Sequence, residues 1–469
     1  MPDIPQFLAF DLGASTGRAV LGTLSDRRMH MDVVHRFDTP IVEEGEHIQW
    51  DVDVLWDELR AGLRAALDEA PGIRSVSVDS WGVDYVSLDA SGRPTRDPYC
   101  YRDPRLDGVM ERAFDTLPKE EIYRKTGIYF LPFNTLYQMI ADRDEDPDAL
   151  ARVDVHLTVA DYFNFRFSGR RAVEVSLAST TQMMDVHTKQ WSHDVLHSFG
   201  LDADQWPDIV PSGTVLGTLR GRPEVDVVAT CSHDTGSAVA AAPVTDPDAR
   251  WAYVSCGTWS LLGVERRKPV LTADALSTGF TNEAGLDGTI RFLKNLTGLW
   301  ALQECAREWG DVDWKELEEA ARRAAPNTAL IDLEDPRFLH RGGMEERLRA
   351  YLREHGLPVP DSRAQLARVI LESIADSYRR AIVDLERVTD EDVDTIYLFG
   401  GGSQNELLCE LTAAACGKSV VAGPAEATAL GNLLIQARSL GYLPDGTSLR
   451  EVARRSSILN YYDPILPTD

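Results

Sequence analysis

The chain has 469 residues, a formal net charge of −27, 43% hydrophobic residues and 8% aromatics. That length exceeds what one hydrophobic core serves, so two domains are expected, and the composition suits a well-buried globular protein rather than a disordered one. The acidic balance argues against a nucleic-acid backbone or an anionic membrane surface as partner, though a local cluster of arginine and backbone amides can still hold a small anion.

Strands are expected at Leu8–Asp11, Arg18–Thr23 and Met31–Phe37. The first two flank a Gly/Ser/Thr tip, so Phe7–Leu24 reads as a hairpin offering backbone N–H groups and small hydroxyls to a phosphate chain. It is neither a G-x-x-x-x-G-K-[ST] loop nor a G-x-G-x-x-G opening a helix. Leu55, Leu59, Leu63 and Leu67 recur every four residues on one helix face. Ser75–Leu88 alternates as a strand broken at Trp81-Gly82 and closed by Asp89-Ala-Ser-Gly92. From about residue 103 to 213 the pattern is mixed and largely helical. Val225–Thr230 is a short buried strand running into Cys231-Ser-His-Asp-Thr-Gly-Ser-Ala238, where a small-residue helix begins.

After a polar junction at 245–250, Trp251–Glu265 repeats the strand–turn–strand device. The recurrence is one of pattern and not of residues, and it suggests a duplicated architecture with a nucleotide between the copies, divided as 1–244 and 245–469. A long amphipathic helix, Gln365–Val388, leads to strand Thr395–Phe399, the run Gly400-Gly-Gly402, a helix through Leu407, Leu408, Leu411 and Ala415 ending at Gly417, strand Ser419–Val421 and helix Ala427–Ser439. This alternation describes a doubly wound α/β layer. The six cysteines form no C-x-x-C pair, no basic leader precedes an apolar segment, and no stretch reaches membrane-spanning length. A soluble, reduced, cytoplasmic protein is expected.

Asp234 lies where a buried strand gives way to a helix, the place where open α/β sheets put their ligand crevice. It suits two roles: accepting a hydroxyl proton during phosphoryl transfer, or capping the helix that follows. Arg18 and Thr258 sit at the two hairpin tips, placed to neutralise phosphate charge or merely to face solvent. Asp11 could order the water shell of Mg2+ or serve the turn. Gly400-Gly-Gly402 permits close backbone approach to adenine and ribose, or is simply a flexible loop. His193-Asp-Val-Leu-His197 has the two-histidine spacing of a helical zinc site but carries Asp where zincins carry Glu, and no third ligand is evident, so incidental histidines are the expected reading.

Taken together, Asp79-Ser-Trp-Gly-Val-Asp-Tyr85, Phe133-Asn-Thr-Leu-Tyr-Gln138, His233-Asp-Thr-Gly-Ser-Ala-Val239, Ser255-Cys-Gly-Thr-Trp-Ser260, Gly400-Gly-Gly-Ser-Gln-Asn405 and Ala422–Asn432 resemble the FGGY family of carbohydrate kinases over nearly the whole chain, in wording closest to its L-rhamnulose kinases. The resemblance implies an α/β fold of two actin-like (ribonuclease H-like) domains with an interdomain nucleotide and sugar cleft. It implies transfer of phosphate from ATP to L-rhamnulose, with Mg2+ required, by a monomer or small homo-oligomer. Carried over residue by residue, Ala14, Ser15, Thr16, Gly17, Arg18, Thr258, Gln303 and Gly401 would bind ATP, and Asp11 would serve the metal. Gly82, His233, Asp234, Thr235 and Asn295 would contact the ketose, with Asp234 as proton acceptor. Asn295 and Gln303 read as part of a loop entering a helix. The chain lacks the Lys-x-x-Trp segment of many family members, which moves the reading away from glycerol and xylulose. Alternatives are a kinase for another ketose such as L-fuculose, or a non-catalytic actin-like ATP-binding protein; against the latter stands the intact set Asp11, Arg18, Asp234 and Thr258.

Overall fold

A computed structural model describes residues 4–246, 248–326, 328–444 and 446–464. The first half builds an antiparallel meander from β1 (Gln6–Leu12), β2 (Thr16–Ser25) and β3 (Arg28–Asp38). Helix α1 (Val52–Glu69) follows; Asp51 caps it by accepting from the Val54 N–H at 2.9 Å, and Leu55, Leu59 and Ala66 bury its inner face. Strand β4 (Ser75–Ser80) then returns parallel to β1. With β5 (Thr214–Leu219) and β6 (Arg222–Ala229) the sheet order is β5-β6-β4-β1-β2-β3. The break expected at Trp81-Gly82 separates two strands, Ser75–Ser80 and Tyr85–Leu88, and Val83 within it adopts a left-handed φ of 70° that turns the chain away. Tyr85–Leu88 pairs instead with Val155–Thr158. Helix α2 (Asp234–Ala240) leaves the end of β6.

The second hairpin is β7 (Trp251–Cys256) with β8 (Trp259–Arg266), followed by β9 (Thr281–Ala284), β10 (Ile290–Thr297) and α3 (Trp300–Trp309). Helix α4 (Arg363–Thr389), capped by Ser362, precedes β11 (Thr395–Phe399), α5 (Glu406–Cys416), β12 (Ser419–Ala422), α6 (Ala427–Ser439) and β13 (Asn460–Tyr462). The sheet order is β9-β10-β8-β7-β11-β12-β13, with β7, β11 and β12 parallel. The glycine run does not open a helix directly: Gly401–Gln404 forms one 3₁₀ turn, and Asn405 caps α5.

The molecule divides into two compact units. Unit one comprises Met1–Pro243, Glu265–Phe292 and Thr428–Ser456; unit two comprises Val244–Val264, Leu293–Ala427 and Ser457–Asp469. The first change of unit falls beside the junction read from the sequence, but the chain then returns to unit one twice. Hydrophobic burial accounts for the last return: Leu430, Leu433, Leu434 and Ala437 of α6 share a core with Phe7, Ala9 and Val20. Among the described residues no helix is long and apolar enough to cross a membrane.

Candidate active site

In unit one, parallel register aligns the ends of adjacent strands. Asp11 of β1 stands opposite Asp79 of β4, and Ser80 bridges to His233 at the end of the segment leaving β6. The Ser80 N–H donates to the Ser232 carbonyl at 2.8 Å. Asp11 and Asp79 are therefore carried near neighbouring strand ends of one sheet, and Asp234 opens the helix that follows the next strand, β6.

The hairpin tip is tightly braced. The Gly13 N–H donates to the Thr16 carbonyl at 3.0 Å, the Thr39 hydroxyl donates to the Gly13 carbonyl at 2.7 Å, and the Thr39 N–H donates to the Ser15 carbonyl at 3.0 Å. Ser15 and Thr16 stay exposed while Gly17 is buried beneath Phe37, whose ring would lie 2.3 Å from an added Cβ. Arg18 and Asp11 are each other's partners: Nε and Nη2 donate to Asp11 Oδ2 at 3.0 and 2.6 Å.

Asp234 keeps 32% of its side-chain surface open. The Thr235 N–H and hydroxyl donate to Oδ1 at 2.5 and 3.1 Å, and His233 Nε2 lies 3.5 Å from the same oxygen. Oδ2 takes part in none of these contacts. Burial raises the Asp234 pKa, His233 opposes that shift, and Asp11 adds to it. Gly82 rests on Thr180, whose hydroxyl would lie 3.0 Å from an added Cβ and accepts from the Val83 N–H at 3.3 Å.

Unit two carries the second hairpin tip. The Gly298 N–H donates to the Thr258 carbonyl at 3.1 Å and the Leu299 N–H to the Gly257 carbonyl at 2.8 Å. The Thr258 hydroxyl donates to Gln303 Oε1 at 3.1 Å, so two residues 45 positions apart meet. Gly400, at φ 81°, and Gly402 pack on Cys256 at the end of β7, where a Cβ would come within 2.8 and 2.2 Å of it. Gly401 is exposed, with open space where a Cβ would stand. Thr258, Gln303 and Gly401 are thereby gathered near one end of β7. The expected loop is corrected at Asn295, which lies half-buried on β10 because the strand continues to Thr297 before Gly298 turns it; Gln303 lies on α3, in keeping with a segment that enters a helix. His193 begins a helix that ends at Ser198, and its neighbour Asp194 accepts from Lys125 at 2.7 Å. Among the described residues no three His, Cys, Asp or Glu groups are arranged to hold a metal ion.

Residues 6–240 match the model of the FGGY family of carbohydrate kinases, N-terminal domain, and residues 252–440 match that of the C-terminal domain. The chain belongs to the FGGY family of carbohydrate kinases. A protein named Rhamnulokinase from Bacteroides thetaiotaomicron is 39% identical over 465 residues, covering 98% of this chain and 96% of the relative. Its namesake from Bacillus subtilis is 36% identical, covering 98% and 95%. A ligand-bound xylulose kinase structure from Lactobacillus acidophilus superposes with TM-score 0.82 at 16% identity, covering 98% of this chain and 94% of that one. The Plasmodium falciparum glycerol kinase with ADP gives 0.77 at 15%, covering 98% and 94%. At such identities these structures attest the fold, two actin-like α/β domains.

Several residues of this FGGY kinase's candidate site escaped sequence reading. Asp79 is fully buried, and burial followed by the Asp11 charge push its pKa well above the carboxylate range. Asn432 Nδ2 donates to Asp79 Oδ2 at 2.5 Å, and Gln436 Nε2 donates to Asn432 Oδ1 at 2.7 Å and to the Leu8 carbonyl at 3.0 Å. Two amides four residues apart, Asn432 and Gln436, in the otherwise apolar stretch 429–437 were the available signal. Glu283 and Arg291, which stand behind His233, left none.

Proposed function

We propose that this FGGY kinase transfers the γ-phosphoryl group of ATP to L-rhamnulose, giving L-rhamnulose 1-phosphate and ADP in L-rhamnose catabolism. The observation that carries this reading is the 36–40% identity, across nearly whole chains, to relatives named Rhamnulokinase. Asp234 accepts the proton of the sugar hydroxyl through Oδ2 while Thr235 holds Oδ1; the freed oxygen forms its bond to the γ-phosphorus as the bond to ADP breaks. The raised pKa of Asp234 makes it a better base than a solvated aspartate. Gly82, His233, Thr235 and Asn295 contact the sugar. Ala14 through Arg18 and the Thr258–Gln303–Gly401 group bind the nucleotide through backbone N–H groups, a hydroxyl and a bare backbone surface.

Mg2+ would neutralise phosphate charge, with Asp11 serving its water shell, a division that suits a site with no three-ligand protein cage among the described residues. Residues 1–244 and 245–469 are proposed as the two family domains, in a cytoplasmic monomer or small homo-oligomer. The test is ADP release with MgATP and L-rhamnulose, L-fuculose, D-xylulose, L-ribulose and glycerol in parallel. A kcat/KM for L-rhamnulose well above the others is expected. Preference for another ketose overturns the substrate, and sugar-independent ADP release overturns the kinase reading.

A further inference from the structure

Behind His233 stand two buried charges with no role so far. Arg291 of β10 has a side chain with no exposed surface, and Glu283 lies on β9. The guanidinium is anchored by Nε donating to the Ala284 carbonyl at 3.1 Å. Its Nη2 donates to His233 Nδ1 at 3.0 Å and lies 3.0 Å from Glu283 Oε2. Glu283 Oε2 is itself 3.4 Å from His233 Nδ1, but without hydrogen-bond alignment to either neighbour. On the far side of the ring, His233 Nε2 faces Asp234 Oδ1 at 3.5 Å.

We propose that Arg291, with Glu283 balancing its charge, is a positioning residue that fixes His233 in the Nε2–H tautomer, so that this N–H points to the Asp234 carboxylate and the sugar hydroxyl beside it. A guanidinium has five N–H donors and no acceptor, so a ring nitrogen it touches must present a lone pair. A neutral imidazole carries one proton, and with Nδ1 engaged that proton resides on Nε2. Glu283 prevents Arg291 from being an uncompensated buried cation, which would be strongly destabilising. Arg291 in turn depresses the Glu283 pKa against the opposing effect of burial, keeping the carboxylate charged. At 3.5 Å the Nε2–H is too far from Asp234 for a strong hydrogen bond and is available to a sugar oxygen arriving beside them. The catalytic contact is made by His233; Arg291 acts through it.

The inference rests on the reading that His233 and Asp234 face the sugar, so its test has a readout independent of turnover. Full-length protein labelled with 15N-histidine, with the His233 signals assigned from their absence in His233→Asn, reports which ring nitrogen carries hydrogen. A lone-pair Nδ1 and a protonated Nε2 near neutral pH are expected. In Arg291→Met, Glu283 takes an Nδ1–H hydrogen bond, so Nδ1 becomes protonated; kcat/KM for the sugar falls by about 10²-fold while KM for ATP holds. Arg291→Lys, which keeps a donor at the position, recovers part of the loss. An Nδ1–H in the wild-type spectrum overturns the proposal, as does an Arg291→Met protein with unchanged tautomer and unchanged kcat/KM. Should Arg291→Met not fold, the wild-type and Arg291→Lys spectra decide. Absence of turnover with every sugar, alongside the expected tautomer, strikes the proposed function and not this assignment.

Discussion

Gly431 lies inside α6, where an added Cβ would stand 1.8 Å from the Ser237 carbonyl oxygen of α2. Helix propensity alone makes Gly431→Ala stabilising by about 1 kcal/mol. Packing gives the opposite sign. Real Cβ contacts essentially never fall below 3.0 Å, so the helices must part by more than an ångström. Overpacking of that kind costs about 1–3 kcal/mol, with backbone against backbone at the upper end, leaving a net loss near 2 kcal/mol. Helix α6 cannot yield easily, because Gln436 is tied to the Leu8 carbonyl and Asn432 to Asp79. The displacement therefore falls on α2, whose first residue is Asp234. A misplacement of about 1 Å in a reacting group costs about 10²-fold in rate. Thermal unfolding of Gly431→Ala should show a lowered Tm, and ADP release a kcat/KM reduced by about 10²-fold with nucleotide affinity retained. A raised Tm with normal kcat/KM would refute the reasoning, since propensity would then have outweighed the clash.

Asp234→Asn removes the proposed proton acceptor and should lower kcat by about 10²–10⁴-fold while leaving Tm and ATP binding near wild type; isothermal titration with a non-hydrolysable ATP analogue checks the second half. Because desolvation raises the Asp234 pKa, kcat/KM should fall as pH drops through a value higher than that of a free aspartate; an acid limb at or below the free-aspartate value counts against this base. Thr258→Ala deletes a hydroxyl bonded to Gln303 and should raise KM for ATP by about 2–10-fold with little change in KM for the sugar. His156 is fully buried, and burial lowers its pKa from 6.5 to about 4. The unfolded chain thus binds the proton first, and stability present above pH 6.5 is lost as pH falls toward 4, by up to about 1.4 kcal/mol per pH unit. Denaturant unfolding from pH 7 to 4.5 should show this slope flattened in His156→Gln.

The two hairpin tips and the strand-to-helix step at Asp234 were legible because their signals are local: alternation, a small-residue tip, and a polar cluster where a buried strand stops. Arg18, Thr258 and Asp234 were singled out on those grounds, whereas Ala14–Gly17 came from the resemblance to the family. The extension of β10 through Asn295 to Thr297 was hidden by polar residues at Lys294 and Asn295, which read as a loop until pairing within the sheet enclosed them. Arg291 and His233 meet across 58 positions, and Asn432 and Asp79 across 353. No periodicity encodes such pairings, which arise from strand register and from the return of later segments to the first sheet. Gln182 takes a left-handed φ of 62° and donates to the Ile128 carbonyl at 2.9 Å, a conformation that its neighbours in sequence do not announce.

The interrupted course of the chain through unit one bears on its synthesis. Residues Met1–Pro243 emerge from the ribosome with Phe7, Ala9 and Val20 still lacking the cover of Leu430, Leu433 and Leu434. At about 5–20 residues per second, α6 arrives roughly 10–40 s later. During that interval an apolar face and the buried Asp79 carboxyl have no partner helix, so the nascent chain is a natural client for a chaperone that shields hydrophobic surface. A fragment ending at residue 244 would remain in that state permanently, while the remainder of the chain supplied in trans would bring the missing helix.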